Sequence, residues 1–174
     1  MIRILVLTLA AGVFLLACDD RAQPALPTVP HVDLPRFMGD WYVIANIPTS
    51  IEKDAYLAKE SYRQAADGTI ETTFTYRAGS FTGPEKRHTP RGFVLDTHSN
   101  AVWGMRFVWP IKADYRIAYV SEDYSQTIIA RSKRDYLWIM ARTPHIAEAD
   151  VQKLITMAET LGYPREKIQR VPQQ

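Results

Sequence analysis

The chain has 174 residues, enough for one domain with a short appendage, and a formal net charge of +2 with a pI of about 8.7. That mild balance, with basic residues scattered singly along the chain, gives no electrostatic case for nucleic acid as a partner. One cysteine excludes a disulfide framework, and 11 prolines with 4 Trp and 9 Tyr favour strands and turns over helices, so the expectation is a mostly β domain.

At the start, Arg3 precedes the apolar run ILVLTLAAGVFLLA, which ends in Leu15-Leu16-Ala17-Cys18. A positive start, a short apolar stretch and a small residue before a cleavage point predict a signal peptide over 1–17. The run is shorter than the roughly 20 residues that cross a bilayer, and Asp19 and Asp20 follow it at once. Leu-Leu-Ala-Cys resembles the bacterial lipobox, in which the cysteine sulfur is acylated and the cysteine becomes the first residue of the mature protein. The resemblance implies lipid attachment (palmitate or a similar acyl chain) at Cys18. Several chains at roughly 0.8 kcal/mol per buried methylene would hold the protein at a membrane of the cell envelope, facing the periplasm. No thiol then remains for a disulfide or a nucleophile. Asp19 resembles the signal that retains lipoproteins at the inner membrane in enterobacteria. Residues 18–36, with Pro24, Pro27, Pro30 and Pro35, predict an extended tether ahead of a domain over 37–174.

The domain opens on Gly39-Asp40-Trp41-Tyr42, a tight turn followed by a strand in which Trp41, Val43, Ala45 and Ile47 alternate with Tyr42, Ile44 and Asn46. Both faces are largely apolar, so the strand is expected to be covered on both sides. An irregular stretch to Lys59 suits a loop folded over something, with Ile51, Tyr56 and Leu57 in it. Asp67-Gly68 then joins strands Ala58 to Ala66 and Thr69 to Ala78 as a hairpin. Glu60, Tyr62 and Gln64 share one face of the first, and Ile70, Thr72, Phe74 and Tyr76 one face of the second. In the strand from about Arg87 to Leu95, Pro90 predicts a bulge or an edge. Trp103, Met105, Phe107 and Trp109 alternate along the next strand, and Tyr115, Ile117 and Tyr119 along the one after it. Strands over Ser125 to Ser132 and Asp135 to Arg142 follow, the last placing Tyr136, Trp138 and Met140 against Leu137, Ile139 and Ala141.

Eight strands joined mostly by short turns close most economically into an all-β, up-and-down antiparallel barrel, with room for side chains and one small ligand. Val151, Leu154, Ile155, Ala158 and Leu161 recur at helical spacing, so one helix over Glu148 to Leu161 is expected outside the last strand, followed by a short strand over Lys167 to Val171.

Three stretches then fall into register. Gly39-Asp40-Trp41-Tyr42 looks like the first lipocalin motif, Ser121-Glu122-Asp123-Tyr124 resembles the second, and Ala141-Arg142-Thr143-Pro144 is similar to the third. The likeness extends over Val32 to Val171 and is nearest to the bacterial, apolipoprotein D-like branch. It implies that Gly39, Trp41, Asp123 and Arg142 are structural, with the Arg142 guanidinium stacked on the Trp41 indole at a closed end. Ser121-Glu122 departs from the usual Thr before Asp, leaving Asp123 as the turn-capping carboxylate.

The expected ligand-facing set is Glu60, Tyr62, Thr72, Phe74, Tyr76, Trp103, Met105, Phe107, Tyr115, Ile117, Tyr119, Tyr136, Trp138 and Met140. Tyrosines and tryptophans with polar edges favour a cavity over a tightly filled core. The resemblance implies a carrier of a fatty acid or lysophospholipid for lipid storage or transport, at the outer membrane by family likeness. Another flat hydrophobe, such as a pigment or isoprenoid, and a structural lipoprotein with a filled barrel are the alternatives. If Glu60 shares the face of Tyr62, its carboxylate disfavours a fatty-acid anion and favours an amine-bearing head group; a place at the rim is the other reading. The spacing of His31, His88, His98 and His145 supports no haem or metal site, and no catalytic residue and no cofactor are expected.

Overall fold

The computed structural model of the protein describes residues 24–174. An antiparallel sheet runs through β1 (Gly39–Ile47), β2 (Ala55–Gln64) and β3 (Ile70–Ala78), then a strand in two pieces, β4 (Glu85–His88) and β5 (Arg91–Val94). It continues through β6 (Val102–Val108), β7 (Ile111–Val120), β8 (Gln126–Ala130) and β9 (Leu137–Ala141). β9 pairs back onto β1, with Val43 opposite Met140 and Ile47 opposite Leu137, and the ring closes. With β4 and β5 counted as one interrupted strand, this is the eight-stranded up-and-down barrel that the strand pattern predicts. A two-residue β10 (Gln169–Arg170) takes the edge of β1 opposite Ala45 and Asn46, beyond the last β1–β2 pair at Tyr42.

The interruption falls at Thr89-Pro90 because Pro90 has no N–H to give to a ladder. β4 pairs with β3, whereas β5 pairs with both β3 and β6. Past Arg106, β6 leaves β5 and continues with β7 alone, so the two project as a hairpin at one end of the barrel.

Two apolar clusters divide the molecule. The inner one fills the barrel around Trp41, Tyr62, Phe74, Trp103 and Ile117. The outer one joins Ile44, Ile128, Leu137 and Ile139 to Val151, Leu154, Ile155 and Ala158 of the helix α2 (Glu148–Thr160). Glu148 and Asp150 lie in the first turn of α2, where the helix dipole favours carboxylates; Ala147 before it supplies no side-chain cap.

Strict alternation misplaces residues beyond two bulges. The β1–β9 register shifts between Val43 and Ala45, which moves Ala45 and Ile47 to the helix-facing cluster instead of the face of Trp41. The β7–β8 register shifts between Ile117 and Tyr119, and Tyr119 packs in the outer cluster, not in the barrel. In each case one extra residue reverses the side of everything after it.

From Pro24 onward the extended segment lies against the barrel. Leu26 and Val32 are buried, Val29 N–H donates to the Ile117 carbonyl at 3.1 Å and Val32 N–H to Ser99 at 2.7 Å. The Pro24 carbonyl accepts from Arg134 Nη2 at 2.8 Å. Prolines favour extended chain, and here that chain lies against the barrel because its apolar residues find surface to cover. The expected signal peptide over 1–17, Cys18 and Asp19 lie outside the described residues.

The segment ends in one helical turn, α1 (Leu34–Phe37), capped by Asp33, whose carboxylate accepts from Arg36 N–H at 3.2 Å. Phe37 enters the barrel end and meets Trp41, Trp103 and Tyr62 at ring separations of 5.1, 5.6 and 5.8 Å. Trp41 Nε1 donates to the Phe37 carbonyl at 2.8 Å. Arg142 lies over the Trp41 ring at 3.8 Å and donates to the carbonyls of Asp40 (2.8 Å), Arg36 (2.7 Å) and Tyr124 (3.3 Å). Asp123 accepts from Ser121 Oγ and from Ser125 N–H and Oγ, bonds that hold its carboxyl at about 2 and fix the turn before β8. Tyr124 follows with a φ of +60° and accepts from Asp33 N–H at 2.9 Å.

One guanidinium thus ties three chain segments to one indole. Replacing Arg142 with Ala is expected to cost about 2–4 kcal/mol, from a cation–π contact of about 1–2 kcal/mol and carbonyls left without donors. Lysine, lacking the planar fork, is expected to recover less than half of it in a urea titration.

Candidate ligand-binding site

Above the Phe37–Trp41–Trp103 plug the barrel holds a cavity of about 320 Å³, at the small end of the ~300–1,000 Å³ range of ligand pockets. Its walls are Phe74 of β3, Met105 of β6, Ala113 and Tyr115 of β7 and Trp138 of β9. Its mouth is formed by Thr49, Ser50, Ile51 and Glu52 of the β1–β2 loop, with Pro90, Phe107, Asp114 and Arg131. The lining is mainly hydrocarbon and aromatic ring, and a few polar groups break it at defined heights.

The lowest is Glu60. It pairs in register with Trp41 on one side and Phe74 on the other, so its side chain shares their inward face, and what remains exposed of it looks into the cavity. Its carboxylate accepts a hydrogen bond from Tyr62 Oη, which in turn lies 2.6 Å from Tyr115 Oη. Burial pushes the Glu60 carboxyl up to about 7, against the Tyr62 hydrogen bond, and the nearby Glu52 charge adds to the rise. The Tyr62 and Tyr115 hydroxyls are held well above the usual phenol range, first by burial and then by the Glu60 charge.

Glu52 is the second acid. It is buried under the β1–β2 loop and accepts from Trp138 Nε1 at 2.9 Å, Thr49 Oγ1 at 2.9 Å and Asn46 Nδ2 at 3.3 Å. Burial raises its carboxyl above the ordinary value, opposed by those donors. Tyr76 Oη donates to the Ile51 carbonyl at 2.6 Å, so the loop is pinned from below at two points. Near the mouth, Arg131 Nη1 is 3.3 Å from Asp135 and its guanidinium lies over the Tyr136 ring at 5.2 Å, while Asp114 accepts from Arg116 and from Ser132 N–H.

Of the sequence-derived candidates, Glu60, Phe74, Met105, Phe107, Tyr115 and Trp138 line the cavity. Tyr62, Thr72, Trp103, Ile117 and Met140 are buried inside the barrel without facing the void, and Tyr76 serves the loop. Two candidates are misplaced: Tyr119 lies on the helix side of the β7 bulge, and Tyr136 stands before β9 against Arg131. Glu52, Asp114 and Arg131 were missed. Glu52 sits in an irregular loop with no periodicity to read, although the loop's length marked it as a cover.

Phe107, Val108, Trp109 and Ile111 are each more than half exposed at the β6–β7 tip, beside the mouth and between Arg106 and Lys112. Among the described residues no helix is long and apolar enough to cross a membrane, and no group of metal-ligating side chains gathers.

Residues 32–173 match the family described as the lipocalin-like domain. The chain belongs to the lipocalin family. This lipocalin is 28% identical over 160 residues to temperature-induced lipocalin-1 of Arabidopsis thaliana, a match spanning 85% of this chain and 83% of that protein. It is 24% identical over 160 residues to the outer membrane lipoprotein Blc of Escherichia coli, spanning 91% and 90%. Insecticyanin from the tobacco hornworm Manduca sexta shares the fold with a TM-score of 0.67 at 12% identity, covering 85% of this chain and 84% of that one. Lipocalins are in general binding and transport proteins for small hydrophobic molecules, and the cavity of this one is apolar enough for that role.

Because the Glu60 carboxyl is raised to about 7 from an ordinary 4.5, the folded chain binds its proton more tightly than the unfolded chain does. Stability is therefore expected to fall as pH rises from about 4.5 to above 7, by about 3 kcal/mol from this group. Thermal or urea unfolding across that window tests it, with Glu60→Gln flattening the dependence.

Proposed function

We propose that this lipocalin is a lipid-anchored carrier of the bacterial cell envelope, acylated at Cys18, that takes the chain of a fatty acid or lysophospholipid into its barrel for storage or transport. The observation that carries the reading is the cavity itself: an apolar void sealed below by the Trp41 plug and walled by Phe74, Met105 and Trp138. A filled barrel would have no such volume. Burying roughly 300 Å² of acyl chain at roughly 25 cal/mol per Å² contributes about 7.5 kcal/mol gross. Association and chain ordering offset several kcal/mol of this, which leaves dissociation constants near micromolar, suited to a carrier that must also release.

Leu15-Leu16-Ala17-Cys18 supports the anchor, and the likeness to an outer membrane lipoprotein supports the envelope and favours its outer membrane over retention through Asp19. The exposed apolar tip beside the mouth, with Arg106 and Lys112 on either side, suits exchange with a bilayer surface. The ligand set of the proposal is Glu60, Phe74, Met105, Phe107, Tyr115 and Trp138.

Native mass spectrometry of the delipidated chain is expected to show uptake of one lysophospholipid or fatty acid, and a clean apo mass throughout would overturn the reading. Ala113→Trp, which fills the upper wall without touching the plug, is expected to reduce uptake at least about tenfold with the fold intact. A co-purifying pigment or isoprenoid in place of a lipid chain would reassign the ligand class.

A further inference from the structure

The cavity floor carries a charge that a hydrocarbon chain has no use for. Glu60 sits at the edge of the plug, opposite Trp41 and Phe74, and is served by a directed chain of hydroxyls. A phenol has one proton to give. Tyr62 gives its proton to the Glu60 carboxylate, so Tyr115 must donate to Tyr62. Both phenol protons are thereby committed to supporting a negative charge at Glu60, and neither is left to meet an anionic head group.

The rest of the lining has the same sign. Glu52 also borders the cavity; Asp114 touches it only beside Tyr115, its carboxylate turned to Arg116 and Ser132. The one guanidinium in the lining, Arg131, is paired with Asp135 through Nη1 and lies over the Tyr136 ring, with its Nε buried and without a hydrogen-bond partner. Phe74, Tyr115 and Trp138 turn aromatic surface to the void, and such surface attracts cations. Two carboxylates, Glu60 and Glu52, and three rings make a site of negative potential inside an apolar wall. A carboxylate ligand would meet like charge there, whereas an ammonium would relieve the desolvation of Glu60.

We infer that the cavity of this lipocalin selects a single-chain amphiphile bearing a protonated amine, seated head first with the ammonium at the Glu60 carboxylate. This rests on the carrier reading of the cavity and specifies its ligand. The amine belongs either to a free long-chain amine or to the ethanolamine head of a lysophospholipid; the chemistry at Glu60 is the same. The raised Glu60 carboxyl, at about 7, adds a signature, since an ammonium binds the ionised form and must expel the proton at lower pH. The titratable and charged groups on the side of Glu60 are Tyr62 on its own strand, Glu52 on the β1–β2 loop, Tyr115 on β7 and Arg131 after β8; Asp114, next to Tyr115, turns outward to Arg116. On β4, His88 is opposite Phe74, with its ring 6.1 Å from that of Tyr76 and its Nε2 buried without a partner, so it is the group to control for.

The test is calorimetric titration of the purified, delipidated full chain with decylamine, decanol and decanoate, from about pH 6 to about pH 8. Decylamine is expected to bind about tenfold more tightly at the upper pH than at the lower, decanol equally at both, and decanoate most weakly of the three at the upper pH. Glu60→Gln is expected to weaken decylamine about tenfold at about pH 8 and to abolish its pH dependence, with decanol unchanged as the measure of an intact cavity. His88→Gln is expected to leave the decylamine profile as it was. Tighter binding of decanoate than of decylamine at the upper pH, or decylamine binding untouched by Glu60→Gln, would overturn the inference and leave the carrier standing. Absence of decanol binding to the unaltered chain would instead overturn the carrier, and this inference with it. A preference for lysophosphatidylethanolamine over lysophosphatidylglycerol of equal chain length assigns the amine to a phospholipid, and equal affinity for the two assigns it to a free long-chain amine.

Discussion

The structure depends on how one end of the barrel is shut. A closed ring of strands leaves two open ends, and an apolar interior open to water at both would be a channel. Here Phe37 fills the lower end from outside the ring, Trp41 and Trp103 pack against it, and Arg142 holds the assembly by binding carbonyls of the N-terminal segment, of β1 and of the β7–β8 turn. A guanidinium suits this position because its flat face stacks on the indole while its edges donate in several directions. The closure therefore sets the height of the floor. Glu60 stands where it does because it pairs with Trp41, the residue that Arg142 covers.

The other end is built from departures from regularity. Pro90 breaks one strand, β6 and β7 leave the ring as a hairpin, and the β1–β2 loop folds inward under the hold of Tyr76 and Glu52. That distribution suits a vessel: the closed end carries the stacked rings and charged hydrogen bonds, and the mouth carries loops able to move without unzipping the wall. The apolar hairpin tip stands at this end, so the surface least at ease in water adjoins the opening through which an apolar ligand would pass.

Periodicity made most of this fold legible. Asp67-Gly68 marked its hairpin, the paired apolar faces of β1 and β9 foretold a cover, and the spacing of Val151, Leu154, Ile155 and Ala158 supplied it. The failures share one cause. A bulge leaves no mark in the alternation of side chains, so Ala45, Ile47 and Tyr119 were assigned to the face they would occupy in an unbroken strand. Tyr136 failed differently, because the strand starts at Leu137, two residues after the expected start at Asp135. Glu52 and Arg131 are loop residues whose place is decided by tertiary packing alone. In the N-terminal segment the prolines account for extended chain, while burial of Leu26 and Val32 is decided by the surface they cover.

Glu60 joins these threads. By the ordinary logic of barrel interiors a carboxylate in that layer is a fault: burial raises its proton affinity, and a neutral side chain of similar shape would stabilise the fold more at neutral pH. The surroundings do not correct the fault, as they would with an internal arginine. They arrange two phenols in series behind the charge and place a second acid, Glu52, within electrostatic reach. A network that commits its donors to an anion at the floor of an otherwise apolar cavity accepts a cost in stability that no internal contact recovers. That cost is recovered only when something positive arrives from outside, through the mouth, on a chain that the walls of Phe74, Met105 and Trp138 can hold. The strain of the empty site and the selectivity of the filled one are then two consequences of the same buried charge.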